Sequence, residues 1–239
     1  MDIETISVAR LALSFVPVVI VVVLMWYWKM GVGRSFHAIG RMLLQLTLIG
    51  YVLVYIFQTE SAYFVSGILM VMLIAASWIA LNTVDLPARS LLPASFVSVS
   101  LGGGTTLLLI SQGVLQLEPW YQPNYLIPLA GMIFAASMTN ISLALERLHA
   151  ELQNGNTFLD ARNTAFRTSM IPVINSFFAV GLISLPGMMT GQILSGVSPL
   201  IAVRYQIMVM CMIFGAAGLS TACFLTMIRN SEHFRANDV

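Results

Sequence analysis

The charged residues of this chain fall in a few short clusters. Between them lie seven uncharged stretches: residues 11–28, 42–59, 61–84, 90–117, 119–145, 168–203 and 205–228. A bilayer core about 30 Å thick takes roughly 20 apolar residues in a helix that rises about 1.5 Å per residue. Each stretch therefore holds at least one span, and only 168–203 could hold two short ones, because Pro186-Gly187 interrupts it. Only 9% of the 239 residues are charged and 58% are hydrophobic, whereas soluble domains carry roughly 25% charge. So little charge excludes a water-soluble fold and leaves an all-α integral membrane protein of about seven transmembrane helices. One transmembrane domain over residues 1–239 is the expected organisation. A net charge of +1 gives no footing for a nucleic-acid partner.

Lys and Arg accumulate on the cytoplasmic side of membrane proteins, and this chooses the orientation. With the N-terminus outside and seven spans, Lys29, Arg34, Arg41, Arg89, Arg147, Arg162, Arg167, Arg229 and Arg235 are inside and only Arg10 and Arg204 outside, nine against two. Eight spans would give eight against three. Seven spans with a cytoplasmic C-terminus follow. Asp2 and Glu4 in place of a basic run, and an apolar core too long for a cleaved leader, make the first stretch a retained span. Trp26-Tyr27-Trp28 and Glu118-Pro119-Trp120-Tyr121 supply interfacial aromatics.

The fifth span is expected to continue into the cytosol over 143–153, with Arg147 and Glu151 as an i,i+4 pair. Asn154-Gly155-Asn156 reads as a break. Thr157 followed by Asp160 resembles a capping box that opens a second helix carrying Arg162 and Arg167, and Pro172 marks where that helix must bend or yield to the sixth span. This is the one inside segment long enough to dock a partner. Arg147, Thr157, Asp160, Arg162 and Arg167 are its candidate contacts, against the plainer reading of a solvated hairpin.

Within the spans the densest unusual run is Ser184-Leu185-Pro186-Gly187-Met188-Met189-Thr190-Gly191-Gln192. Pro removes a backbone donor and Gly permits close approach, so a break or kink is expected here. Non-helical backbone at membrane depth is tolerated only where protein or a watery cavity satisfies it. Gly187 and Gly191 also make a GxxxG pair suited to tight helix contact. Pro186, Gly187, Met188, Met189, Gly191 and Gln192 are candidate gate residues. Among the in-span polar residues Gln45, Asn82, Asn140, Asn175, Gln192 and Gln206, each costly in lipid, Asn140, Asn175 and Gln192 are the candidate polar lining. Met208 and Met212 share a helix face and, with Met188-Met189, offer thioethers that favour soft metals, though Met is also ordinary packing material. His37, His149 and His233 form no spaced cluster. Cys211 and Cys223 show no CxxC spacing and read as small apolar filler. No metal ligands are assigned.

Other absences narrow the function. No Asp, Glu or His falls securely at mid-membrane, so the carboxylate relay of an ion-coupled carrier is missing. The single lysine, Lys29, has no GxxxxGK context, so the chain holds no P-loop and no nucleophile–base set, and is not expected to be an enzyme.

The run 180–192 closely resembles a signature of the FetB-like ABC transporter permease family, which includes plant aluminium-tolerance relatives. The likeness continues through Ser198-Pro199 and 202–209. Ile39-Gly40-Arg41 with Gln45 and 50–53 resemble the family's second span, and 127–133 its fifth. The resemblance covers nearly the whole chain. It implies a homodimeric permease, in the inner membrane if bacterial, that binds no cofactor itself. A separate ABC-type ATP-binding subunit would hold ATP and Mg. Bacterial relatives are linked to iron export; plant relatives are linked to aluminium tolerance and, in one proposal, to UDP-glucose movement. Family members usually carry a longer segment between the fifth and sixth spans than 151–167 here. Ferric and aluminium ions prefer oxygen ligands, yet the spans offer amides and thioethers. A chelated metal, a nucleotide sugar or a lipid-like substrate suits that lining as well. A membrane scaffold that recruits a regulator and an ungated channel are the readings from other classes.

Overall fold

The computed structural model describes residues 7–58, 61–82 and 88–230. Its described secondary structure is helical apart from one isolated bridge, Val180 to Ser184. Asp2, Glu4, Asp85, His233 and Arg235, on which parts of the topology reading rest, lie outside the described residues. The chain divides into two units, 1–58 and 59–239.

The first unit contains α1 (Val8–Leu13), α2 (Val16–Tyr27) and α3 (Val32–Phe57). Pro17 sits in the first turn of α2, where no amide donor is missed. Val19, Ile20, Val21, Val23, Leu44, Leu46 and Val54 are all exposed. Helices this apolar that bury almost nothing are stable only against hydrocarbon.

The second unit is built around α7 (Pro123–Gln153), a continuous helix of 31 residues that carries the fifth span into the following segment as expected. It packs against α4 (Ala62–Ile79), α8 (Phe158–Ala179) and α10 (Pro199–Met227). Ile133, Ser137, Ile141, Ala144, Leu145 and Leu148 form its buried stripe at helical spacing. The fourth stretch runs as α5 (Ala88–Ser98), a π-helical turn (Val99–Gly104), α6 (Thr105–Leu108) and a second π-helical turn (Leu109–Val114).

Small residues at the helix crossings decide how closely these elements approach. A Cβ on Gly102 would collide with the backbone of Ser220, and one on Gly103 would lie 3.2 Å from Ile133 Cγ2. Ser220 Oγ donates to Ser137 Oγ at 3.0 Å, and Ser137 Oγ donates to the Ala216 carbonyl at 3.3 Å. Ser95 and Ser142 donate to the carbonyls of Ser77 and Ala80. Close backbone approach with serine cross-links is how helices associate where lipid competes for every apolar face.

Among the described residues six helices are long and apolar enough to cross a membrane: Val8–Tyr27, Val32–Phe57, Ala62–Ile79, Ser90–Val114, Pro123–Gln153 and Pro199–Met227. Apart from 199–203, which open the last of them, the stretch 168–203 contributes to none of these helices. Its first part belongs to α8, which continues through Pro172 and does not yield to a new helix there. Its middle is the short helix α9 (Gly187–Leu194).

The crossing at Gly102 makes a direct prediction. Gly102→Ala forces Cβ against backbone and should lower stability by about 1–3 kcal/mol. Gly104→Ala, which meets no atom within 4 Å, should be neutral or gain about 0.5–1 kcal/mol from reduced backbone freedom. Thermal unfolding of both variants in detergent separates the two outcomes.

Candidate functional site

Between α8 and α10 the backbone of 180–198 is irregular. Val180 leaves the helix with ψ 132°, and Gly181 takes φ +82°, a region costly for side chains with a Cβ. The turn closes through local hydrogen bonds. The amides of Ile183 and Ser184 donate to the Ala179 carbonyl at 2.8 and 3.1 Å, and the Gly181 amide donates to the Ser184 carbonyl at 3.0 Å. Pro186, extended at ψ 145°, precedes α9; its carbonyl accepts from the amide and the hydroxyl of Thr190 at 3.0 and 3.1 Å. At the far end Gly196 has φ +90°. The Val197 amide donates to the Gln192 carbonyl and that of Gly196 to Ile193, both at 3.0 Å, which is a Schellman closure. The break expected at Pro186-Gly187 is present, and the turn before it and the helix end after it each close with local hydrogen bonds.

Two cavities flank this segment. The larger, about 610 Å³, lies among α7, α9 and α10; Tyr125, Met132, Met188, Gln192, Tyr205 and Met208 are among its walls. The smaller, about 440 Å³, is bounded by Phe177, Gly181, Leu185, Met189, Gln206 and Met210 among others. Adjacent Met188 and Met189 thus serve different cavities, as neighbouring positions on a helix do. One carbonyl oxygen at each cavity, Gln192 Oε1 and Gln206 Oε1, is buried without a hydrogen-bond donor. An unsatisfied buried group costs about 1–3 kcal/mol, so each is a place where a ligand or water has something to gain.

The other candidate residues distribute unevenly. Asn140 is buried in α7 and donates from Nδ2 to the Ala136 carbonyl at 3.1 Å, while its Oδ1 has no donor. Asn175 is exposed on α8. Neither lines the two cavities, so Gln192 alone of the three sits in a cavity wall. Gly187 and Gly191 meet no atom within 4 Å. The close contact expected of the GxxxG pair is not made within this chain, because α9 presents that face outward. Met212 is fully buried packing, while Met208, one turn away, faces the larger cavity. Met132, Tyr205 and Met210 were not singled out by sequence reasoning; an isolated apolar or aromatic residue within an apolar span carries no signal of its own.

The α7–α8 segment forms as its sequence indicates. Arg147 pairs with Glu151, which also accepts from Asn156 Nδ2. Gly155 takes φ +82°, with its amide donating to Leu152 and that of Asn156 to Glu151, a second Schellman closure. Thr157 Oγ1 accepts from the Asp160 amide at 3.3 Å and donates to Asp160 Oδ2 at 2.8 Å, capping α8. Phe158, Ala161 and Ala165 are buried, while Asp160 and Arg167 are exposed and Arg162 is half-buried beside Asn163. Among the described residues no three His, Cys, Asp or Glu side chains come together as a metal site.

The model of the uncharacterised protein family UPF0014 matches residues 8–232. The chain belongs to UPF0014. A UPF0014 membrane protein of Synechocystis, slr1647, is 37% identical over 84% of this chain and 83% of its own length. The Escherichia coli protein named "Probable iron export permease protein FetB" is 33% identical over 98% of this chain and 96% of its own. The Arabidopsis thaliana protein named "Protein ALUMINUM SENSITIVE 3" is 33% identical over 88% and 81%. No solved structure matches. With six apolar helices of spanning length among the described residues and relatives named as membrane proteins, this UPF0014 chain is a multi-pass integral membrane protein.

If the orphan carbonyl of Gln192 is kept for a ligand rather than for packing, Gln192→Leu should raise the thermal midpoint in detergent, since an apolar group of similar size removes the desolvation cost. The same variant should lose transport in cells. A midpoint that falls with transport intact would make Gln192 a structural residue.

Proposed function

We propose that the chain is the membrane-spanning subunit of an ABC exporter, working as a homodimer and moving iron or another metal outward. The observation that carries this is its near full-length similarity to the E. coli protein named as a probable iron export permease. The chain itself is not the energy source on this reading; a separate ABC-type subunit binds ATP and Mg and hydrolyses the nucleotide.

Seven crossings, with the N-terminus outside and the C-terminus inside, fit this role. The apolar part of α8, 168–179, rises about 18 Å, and α9, with 8 residues, about 12 Å. Together they match a core about 30 Å thick, so α8, the turn and α9 complete the crossing that no single helix supplies. The α7–α8 hairpin then lies on the cytoplasmic side with most of the positive charge.

In the mechanism we favour, closure of the ATPase dimer pushes on that hairpin through Arg147, Thr157, Asp160, Arg162 and Arg167. The rigidly capped start of α8 transmits the push, α7 and α8 tilt, and the 180–198 break switches the flanking cavities between faces. A second reading, an organic substrate, is favoured by one observation: the described walls of both cavities carry amide, phenol and sulfur groups but no carboxylate.

Gentle purification from native membranes should bring down an ABC-type ATPase. Reversing Arg162 and Arg167 to Glu should abolish its substrate-stimulated ATP hydrolysis while the chain still inserts; intact coupling would remove the hairpin from the mechanism. Cells lacking the protein should hold more iron or another metal than complemented cells. Metal content that is the same in both would move the substrate to the organic class.

A further inference from the structure

We propose that the larger cavity is a binding site for a soft monovalent d10 cation, Cu(I) or its analogue Ag(I), held by the thioethers of Met132, Met188 and Met208. This names the class of ion that the permease reading leaves open and rests on that reading for transport, though not for binding.

Three helices contribute the sulfurs: Met132 from α7, Met188 from α9 and Met208 from α10. They differ from the methionines that fill the core. Met170 and Met212 are 4% and 1% exposed, whereas these three are half-buried and border about 610 Å³ of open volume. A methionine recruited as filler leaves no such space beside it. Gln192 lines the same cavity, and its Oε1 is buried without a donor. An orphan acceptor is relieved by a cation or by a ligand that donates.

The wall also selects among cations. No carboxylate, imidazole or thiol lines this cavity, so a hard di- or trivalent ion finds neither the oxygen anions it prefers nor compensation for its charge. Thioethers favour Cu(I), and a single charge carries the smallest desolvation penalty an ion can have. The flexible three-bond stems of methionine let sulfurs from separate helices converge on one ion.

The test uses the full chain in detergent with methionine methyls labelled with carbon-13. Cys211→Ala and Cys223→Ala are introduced so that thiols do not compete. Titration with silver nitrate should shift the methyl resonances of Met132, Met188 and Met208 together, saturating near one equivalent, while exposed Met70 and Met227 stay put. Under reducing conditions, Cu(I) affinity measured against bathocuproine disulfonate should fall at least tenfold in Met132→Leu/Met188→Leu/Met208→Leu. Shifts confined to other methionines, the absence of saturation, or affinity unchanged in the Leu variant would each overturn the site. If the triple variant does not fold, the methyl titration of the chain retaining all three methionines still decides. Failure here leaves the permease reading standing, and a missing ATPase leaves the binding result standing.

Discussion

Every peptide N–H and C=O placed in hydrocarbon must find its partner within the protein, and each one left over costs several kcal/mol. The architecture follows from that constraint. Long helices satisfy it by default, and the π-helical turns of the fourth stretch keep it satisfied while re-aiming the side chains on either side. The exception is 180–198. There α8 stops, a glycine with φ +82° turns the chain, and a short helix follows. Ala179, Pro186, Gln192 and Ile193 supply acceptors within the segment itself. These bonds hold the turn at Gly181 and the end of α9 from within the chain.

Among the described residues four buried side-chain oxygens have no partner: those of Gln192 and Gln206, which belong to cavity-wall residues, and Asn140 Oδ1 and Thr221 Oγ1, which do not. A fold so careful about its main chain, yet bearing buried unpaired side-chain acceptors at cavities, has given up stability there. Local rule-breaking of this kind concentrates at functional sites. Around it the scaffold is tight: Gly102 against Ser220 and Ser137 against Ser220 bind the fourth, fifth and last stretches into a body. The α7–α8 hairpin is fixed at both ends, by the Schellman closure at Gly155 and by the Thr157 cap. An applied push thus moves helices rather than a loose loop.

Much of this was legible in the sequence because it depends on residue type and local spacing. Charge spacing marks the spans; Gly155, Thr157 with Asp160, and Pro186-Gly187 mark terminations whose chemistry is local. What escaped reading depends on which face of an apolar helix points where. In a chain whose lipid face and protein face are equally apolar, the periodicity that orients a soluble helix is lost. Hence Asn140 and Asn175 read alike, yet one is buried and the other exposed. Hence too Gly102-Gly103, not Gly187 and Gly191, makes the close approach within this chain. The stretch 168–203 was counted as a span by length alone, and its glycines and proline divide it.

The central claim is that the segment around α9 changes its access between membrane faces as the partner hydrolyses ATP. The most direct measurement is the rate at which a membrane-impermeant maleimide labels Gln192→Cys, with Cys211 and Cys223 replaced by Ala. It is made in inside-out vesicles from cells carrying the whole transporter. Labelling several-fold slower with ATP and vanadate than without nucleotide is the result expected of a gate. Equal rates in both conditions would mean that the break is a fixed part of the wall, and that transport, if it occurs, switches elsewhere.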